Sequence, residues 1–156
     1  MSDPAPQPPN VRELVLTLFE LGREVTSVLN LEELLQKIPQ LISRLTKFTA
    51  FALYLHEPKR DELSIAYSVG YPAELARTRR LKVGQGIVGA AVAEGKPILV
   101  NDVHADPRYL EAVPGTNAEL VVPVRRKGRV LGALTLLGEN VGQFTETDEA
   151  MLRQFA

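Results

Sequence analysis

The 156-residue sequence contains no cysteine. Disulfides, thiolate metal sites, thiol nucleophiles and thioether attachment of a tetrapyrrole are therefore excluded for this chain. With only two histidines as well, a transition-metal site has little support. This absence removes several common kinds of reactive site at once.

An excess of charge of one sign is also missing, because 18 Lys and Arg face 19 Asp and Glu. Such a chain lacks the broad positive field that binds phosphate backbones or anionic lipids. No uncharged apolar run reaches the roughly 18 residues of a membrane span, and no basic stretch followed by an apolar run opens the sequence. We expect a cytoplasmic protein that binds neither nucleic acid nor membrane.

The length suits one compact core but hardly two. Proline is concentrated in the first ten residues, where it removes backbone donors and favours extended conformations. We therefore expect residues 1–10 to form a disordered leader and residues 11–156 to form one domain.

An apolar stripe follows the leader. Its members recur at alternating spacings of three and four, which predicts a helix over residues 11–29. They are Val11, Leu14, Leu18, Leu21, Val25 and Val28. This stripe is typical of a coiled-coil seam, although it is shorter than three heptads, and a seam predicts a homodimer. Burial against the domain's own sheet is the alternative, and the two interpretations have about equal support.

Strands are predicted in the middle of the chain, after a second amphipathic helix with Asn30 as its cap. The apolar period changes to two over residues 51–69 and predicts a hairpin with large side chains on one face. A second hairpin is predicted over residues 120–137, around the turn Lys127-Gly128. Antiparallel strands should therefore dominate the sheet.

The last predicted element is a helix over residues 146–156. Thr145-x-x-Asp148 resembles a capping box at its start. Because the predicted helix reaches the last residue, we expect the sequence to be part of a longer polypeptide.

The glycine-rich stretch Gly84-x-Gly86-x-x-Gly89 matches a dinucleotide-binding pattern, with Asp102 at a suitable distance. That function needs a parallel βαβ unit, whereas a hairpin and one helix follow here. We interpret the glycines as structural positions that turn tightly with positive φ.

The order of these elements resembles that of GAF domains. RRLKVGQGIVGAAVAEGKPILVNDVHADPRY is similar to the family's central stretch, and AELVVPVRRKGRVLGALTLL, with Gly132 as a structural glycine, is similar to its closing hairpin. The resemblance covers roughly residues 20–156. It implies a PAS-related α+β fold, in which a central antiparallel sheet carries helices on one face and a ligand pocket on the other.

GAF domains bind cyclic nucleotides, tetrapyrroles, haem or small metabolites, or they dimerise and transmit a signal. In the cyclic-nucleotide motif an Asn-Lys pair precedes Phe-x-x-x-Asp-Glu, but Val141 replaces the lysine here and argues against such a ligand. A haem ligand could come only from His56 or His104.

The resemblance also raises the question of catalysis. The family's methionine sulfoxide reductases use cysteines, which this chain lacks. None of its five serines lies in a Gly-x-Ser-x-Gly elbow, and nothing pairs its carboxylates for acid and base work. We therefore predict that the chain is not an enzyme.

The pocket is predicted over the face of the sheet that carries small residues, including Ala52, Ala66 and Ala133. Candidate pocket residues, assigned largely by resemblance in position, are Ser64, Tyr67, Asp102, Tyr109, Glu119 and Thr135. We expect a sensor that binds an unidentified small molecule and relays a signal through dimer helices to a C-terminal effector outside these residues. A ligand-free dimerisation scaffold and a haem sensor are the alternatives.

Overall fold

The two predicted hairpins form the middle of one antiparallel sheet. The structure, a computed structural model, describes residues 28–156. Its strands are β1 (Ala50–Glu57), β2 (Glu62–Val69), β3 (Arg80–Lys82), β4 (Ile98–Val100), β5 (Ala118–Arg126) and β6 (Arg129–Gly138). They lie in the order β3-β2-β1-β6-β5-β4, and every neighbouring pair is antiparallel. The predicted α+β class with a central antiparallel sheet is confirmed.

Helices cover both faces of this sheet. They are α1 (Val28–Ser43), α2 (Ala73–Thr78), α3 (Gly86–Glu94) and α4 (Glu146–Arg153), with a short 3₁₀ helix at Val103–Ala105. Apolar side chains of α1 and α4 share one core with alternate residues of the central strands, whereas α3 packs on the opposite face. No helix within residues 28–156 is both long and apolar enough to cross a bilayer.

The chain before α1 carries most of the predicted dimer stripe. The predicted leader and stripe residues Val11, Leu14, Leu18, Leu21 and Val25 lie outside the described residues. The described helix already includes Val28, so Asn30 lies inside it and is not its cap, because a capping residue has non-helical backbone angles.

Alternation along β5 and β6 separates the two faces of the sheet. Leu120 and Leu134 belong to the core beneath α1 and α4. Val121 and Ala133, one residue along, belong to the cluster beneath α3. Side chains on β5 that are two residues from Val121 share its face, so they point away from α1 and α4.

A bulge in β2 breaks the alternation that the sequence suggests. Leu53 pairs with Tyr67 but Tyr54 pairs with Ile65, so Ala66 is an extra residue in the ladder. As a consequence, Ile65 packs on the α3 side and Tyr67 on the opposite side. The prediction that the large side chains of this hairpin share one face is therefore wrong for β2.

The glycine stretch leads into α3, which connects the two outer strands of the sheet and crosses its face. Gly84 and Gly86 have φ values of 93° and 72°, which confirms positive φ at these two positions. Gly89 does not: a Cβ there would lie 2.7 Å from the carbonyl oxygen of Lys82. Its role is close backbone approach, not a turn.

The capping box of the last helix is confirmed. The Asp148 amide donates to Thr145 Oγ1 over 3.2 Å, and the Thr145 amide donates to Asp148 Oδ2 over 2.9 Å. Helix α4 ends at Arg153, not at Ala156 as predicted. The amides of the last three residues bond to carbonyls three residues back, which tightens the final turn.

We predict that Gly132→Ala destabilises the fold. A Cβ at this position in β6 would overlap the carbonyl oxygen of Tyr54, where the two strands approach closely. We expect a loss of about 1–3 kcal/mol in the free energy of unfolding, measured by urea denaturation. An unchanged denaturation midpoint would show that the strands relax without cost.

Candidate ligand-binding site

A cavity lies on the α3 face of the sheet, where α2, the start of α3 and the chain before β5 meet. Its volume is about 20 Å³, so it is a small cavity. Five polar side chains contribute to the walls: Tyr54, Tyr71, Arg79, Tyr109 and Glu119. Aliphatic residues, including Leu81, Ile87, Val88 and Leu110, supply most of the rest. The combination of apolar walls with a few convergent polar groups is typical of small-molecule sites.

Glu119 is the buried acid of this cavity. Its place on β5 directs it to the α3 side, and it is only 5% exposed. Burial raises the pKa of Glu119 to about 7, while the hydrogen bond from Thr135 and the charge of Arg79 act in the opposite direction. The Thr135 hydroxyl donates to Glu119 Oε2 over 3.1 Å. Near neutral pH this carboxyl can therefore be either charged or protonated.

Two tyrosines form the floor beside it. The side chains of Tyr54 and Tyr71 lie close enough for each to influence the pKa of the other. Burial raises the pKa of both, so each stays neutral and offers a hydroxyl that donates or accepts. Tyr109 also has a raised pKa because of burial, and the nearby Thr116 side chain acts in the opposite direction.

Arg79 supplies the positive charge. It is half-buried, whereas Arg77 and Arg80 are exposed. Its Nη2 donates to the carbonyl oxygen of Glu111 over 2.7 Å. The Glu119 carboxyl and the positively charged Arg79 guanidinium therefore face the same cavity.

The structure brings together three of the six predicted pocket residues. Tyr109 and Glu119 line the cavity, and Thr135 holds Glu119 from the neighbouring strand. Ser64 pairs with Leu55 and lies on the opposite face with Tyr67. Alternation and the bulge explain both positions.

Neither the remaining predicted pocket residue nor either histidine lines the cavity. Asp102 is exposed at the start of the 3₁₀ helix. His56 contacts Asp61 over 2.7 Å near the first hairpin turn, and exposed His104 packs edge-on against Tyr109. Residues 28–156 contain no group of three or more His, Asp or Glu side chains that could hold a metal ion.

Sequence reasoning missed Tyr54, Tyr71 and Arg79. The segment around Arg79 forms α2 and β3. The only signal was the run of arginines itself, and nothing in it marks the half-buried one. The tyrosines carry no local signal, because loop and sheet bring them together.

We predict that Glu119 makes the protein less stable as pH rises from about 4.5 to 7. Its pKa of about 7 in the folded state exceeds the ordinary value of 4.5, so the unfolded chain releases this proton first. The stabilisation is complete below about pH 4.5 and is lost as pH rises through 7, about 3 kcal/mol in all.

The measurement is urea denaturation across this range for the wild type and Glu119→Gln. The variant should lack this part of the pH dependence, whereas Glu139→Gln, at an exposed position, should keep it. Identical pH profiles for the wild type and Glu119→Gln would contradict the raised pKa.

Comparison with known proteins places this geometry in a family. A family model described as GAF domain matches residues 28–156. The chain is 35% identical over 103 residues to protein YtsP of Bacillus subtilis (strain 168), which covers 66% of this chain and 61% of that protein. It is also 35% identical over 75 residues to the free methionine-R-sulfoxide reductase of Escherichia coli (strain K12), 48% of this chain and 46% of that protein. The chain thus matches about half to three fifths of the length of these relatives.

A solved structure extends the likeness over nearly the whole chain. The free methionine-R-sulfoxide reductase from Neisseria meningitidis, in complex with its substrate, aligns with a TM-score of 0.72 at 25% identity. The alignment covers 99% of this chain and 90% of that chain.

These similarities contradict the prediction that the chain is not an enzyme, because proteins similar to it in sequence and in structure are reductases. That prediction rested on the absence of cysteine and of paired catalytic groups. These observations concern residue types, and they do not show which proteins the chain is related to. On the fold itself, the antiparallel sheet, with α1 and α4 on one face and α3 and the cavity on the other, agrees with the family match. The match over residues 28–156 shows that this chain belongs to the GAF domain family.

Proposed function

We propose that the cavity of this GAF domain binds a free amino acid with a short polar side chain, of the methionine sulfoxide class. The observation that carries the proposal is the pair of opposite charges, Arg79 and Glu119, on the walls of one enclosed space. A free amino acid carries both complementary charges. Its carboxylate is placed at Arg79 and its ammonium group at Glu119.

The other walls suit the side chain of such a ligand. A sulfoxide oxygen is an acceptor, and the hydroxyls of Tyr54 and Tyr71 are neutral donors at the cavity floor. The methylene groups would contact Ile87 and Leu81. Each ligand group therefore has a matching partner.

The cavity is too small for an amino acid unless part of its wall moves. In this conformation it admits little more than a water molecule between its walls. A ligand of amino-acid size therefore enters only when part of the wall moves. The residues between the 3₁₀ helix and β5 are the wall with no regular secondary structure, so they are the part that we expect to move.

The relatives support the choice of ligand class. The printed names of the Escherichia coli and Neisseria meningitidis proteins specify free methionine-R-sulfoxide. Reduction of a sulfoxide adds two electrons and two protons and releases water. Because the sequence has no cysteine, a thiol reductant has to come from a second molecule. Two thiols of that reductant supply both electrons and both protons and become a disulfide.

A second proposed function is the relay of ligand binding to an attached effector. Asn101 opens the segment that leads to the cavity wall, and its side-chain amide bonds to both backbone groups of Phe144, over 3.0 and 3.2 Å. Phe144 is buried immediately before α4. Movement of the segment can therefore shift the start of α4. The homodimer through residues 11–29 and the effector itself remain proposals.

We predict micromolar to millimolar binding of L-methionine sulfoxide to the wild type by isothermal titration calorimetry. Glu119→Gln should weaken binding about 10- to 100-fold, because it removes a charge-assisted hydrogen bond to the ammonium group. Affinity for the wild type should rise from pH 6 to pH 8 as Glu119 becomes charged.

Asp102→Asn is the matched control, since this carboxylate lies exposed and outside the cavity. The control should bind like the wild type. Methionine formation in the presence of dithiothreitol, in the same samples, tests turnover. Equal affinities for the wild type and Glu119→Gln, or no heat of binding to the wild type, would refute the proposed site.

A further inference from the structure

Resting on this proposed function, we infer that Arg79 determines specificity for a free carboxylate by joining the ligand to the segment that covers the cavity. This covering segment is residues 109–112. It forms one wall, through Tyr109, Leu110 and Ala112, and has no regular secondary structure.

Tyr109 anchors the start of the covering segment: its ring packs against His104, and its amide donates to the Asp106 carbonyl oxygen over 3.2 Å. Leu110 rests on the start of α3, where a Cβ on Gly86 would lie 3.1 Å from Leu110 Cδ1. Leu110 is nevertheless 41% exposed. The polar contact across the cavity is the bond from Arg79 to the carbonyl oxygen of Glu111. Beyond Tyr109, the covering segment is therefore a wall whose polar contact with the opposite side of the cavity comes from one guanidinium.

The backbone of Arg79 does not depend on that wall. It ends α2, and its amide donates to the Leu75 carbonyl oxygen over 2.8 Å. The guanidinium has five donors in a planar fork, and the bond to Glu111 uses one of them. The same group can therefore bind a carboxylate in bidentate fashion and hold the covering segment at once.

This double role gives a reason for the selection of free amino acids. A carboxylate fixes the guanidinium in the orientation that also fastens Glu111, so the cavity closes over the ligand. An amide or a peptide-linked residue has no carboxylate at this place, so the bond to Glu111 alone then orients the guanidinium and the covering segment is held less firmly. Lysine would keep the charge but not the fork.

The test compares L-methionine sulfoxide with its C-terminal amide, using calorimetry for affinity and hydrogen exchange for the amides of residues 109–112. With the wild type, the free amino acid should bind about 10- to 100-fold more tightly than the amide. It should also slow exchange in the covering segment at least about tenfold, whereas the amide should not.

Arg79→Lys should reduce the preference for the free acid to about threefold or less and abolish the protection, with an unchanged thermal midpoint as the check on folding. Arg77→Lys is the matched control, because Arg77 is exposed and contacts Glu74 on the surface. The control should behave as the wild type.

The results separate the two proposals. Equal affinity for acid and amide, preference retained in Arg79→Lys, or binding without protection of residues 109–112 would overturn the role of Arg79 while leaving ligand binding intact. Absence of binding by the wild type to either compound would overturn the proposed function, and this inference with it.

Discussion

The buried carboxyl of Glu119 is the constraint on which the site depends. Alternation along β5 places it on the α3 side of the sheet, between Ala118 and Leu120, which face the other core. Burial of an acid is costly unless it is hydrogen-bonded or neutral. Thr135 on the neighbouring strand donates one hydrogen bond to Glu119, and the raised pKa allows the carboxyl to be neutral near pH 7. The polar cavity follows from enclosing this one group.

The rest of the α3 face explains why the cavity is small. Helix α3 crosses the sheet from one edge strand to the other and fills most of this face with Ile87, Val88, Ala91 and Val92. The cavity lies near its first turn, where the positive φ of Gly86 starts the helix and Leu110 closes the opening. The wall that we propose to move, residues 109–112, thus lies outside the sheet, where mobility is compatible with a stable core.

Local patterns in the sequence predicted the fold well and the site only in part. The hairpins, the capping box and two of the glycine turns depend on neighbouring residues, so they are visible along the chain. The bulge at Ala66 is not, because it is a property of the register between two strands. Tyr54 and Arg79 could not be found for a related reason: their partners are distant in sequence. The enzyme prediction failed because residue types alone do not reveal kinship with reductases.

The central claim is that Glu119 is the buried group that meets the ligand's ammonium. Carbon-13 NMR titration of glutamate-labelled protein, with and without saturating L-methionine sulfoxide, tests it most directly. In the free protein the Glu119 carboxyl should titrate with a pKa of about 7. The bound ammonium should lower that pKa, because an opposite charge favours the ionised form. A Glu119 carboxyl that titrates in the ordinary range when free, or a pKa unchanged at saturation, would contradict the account.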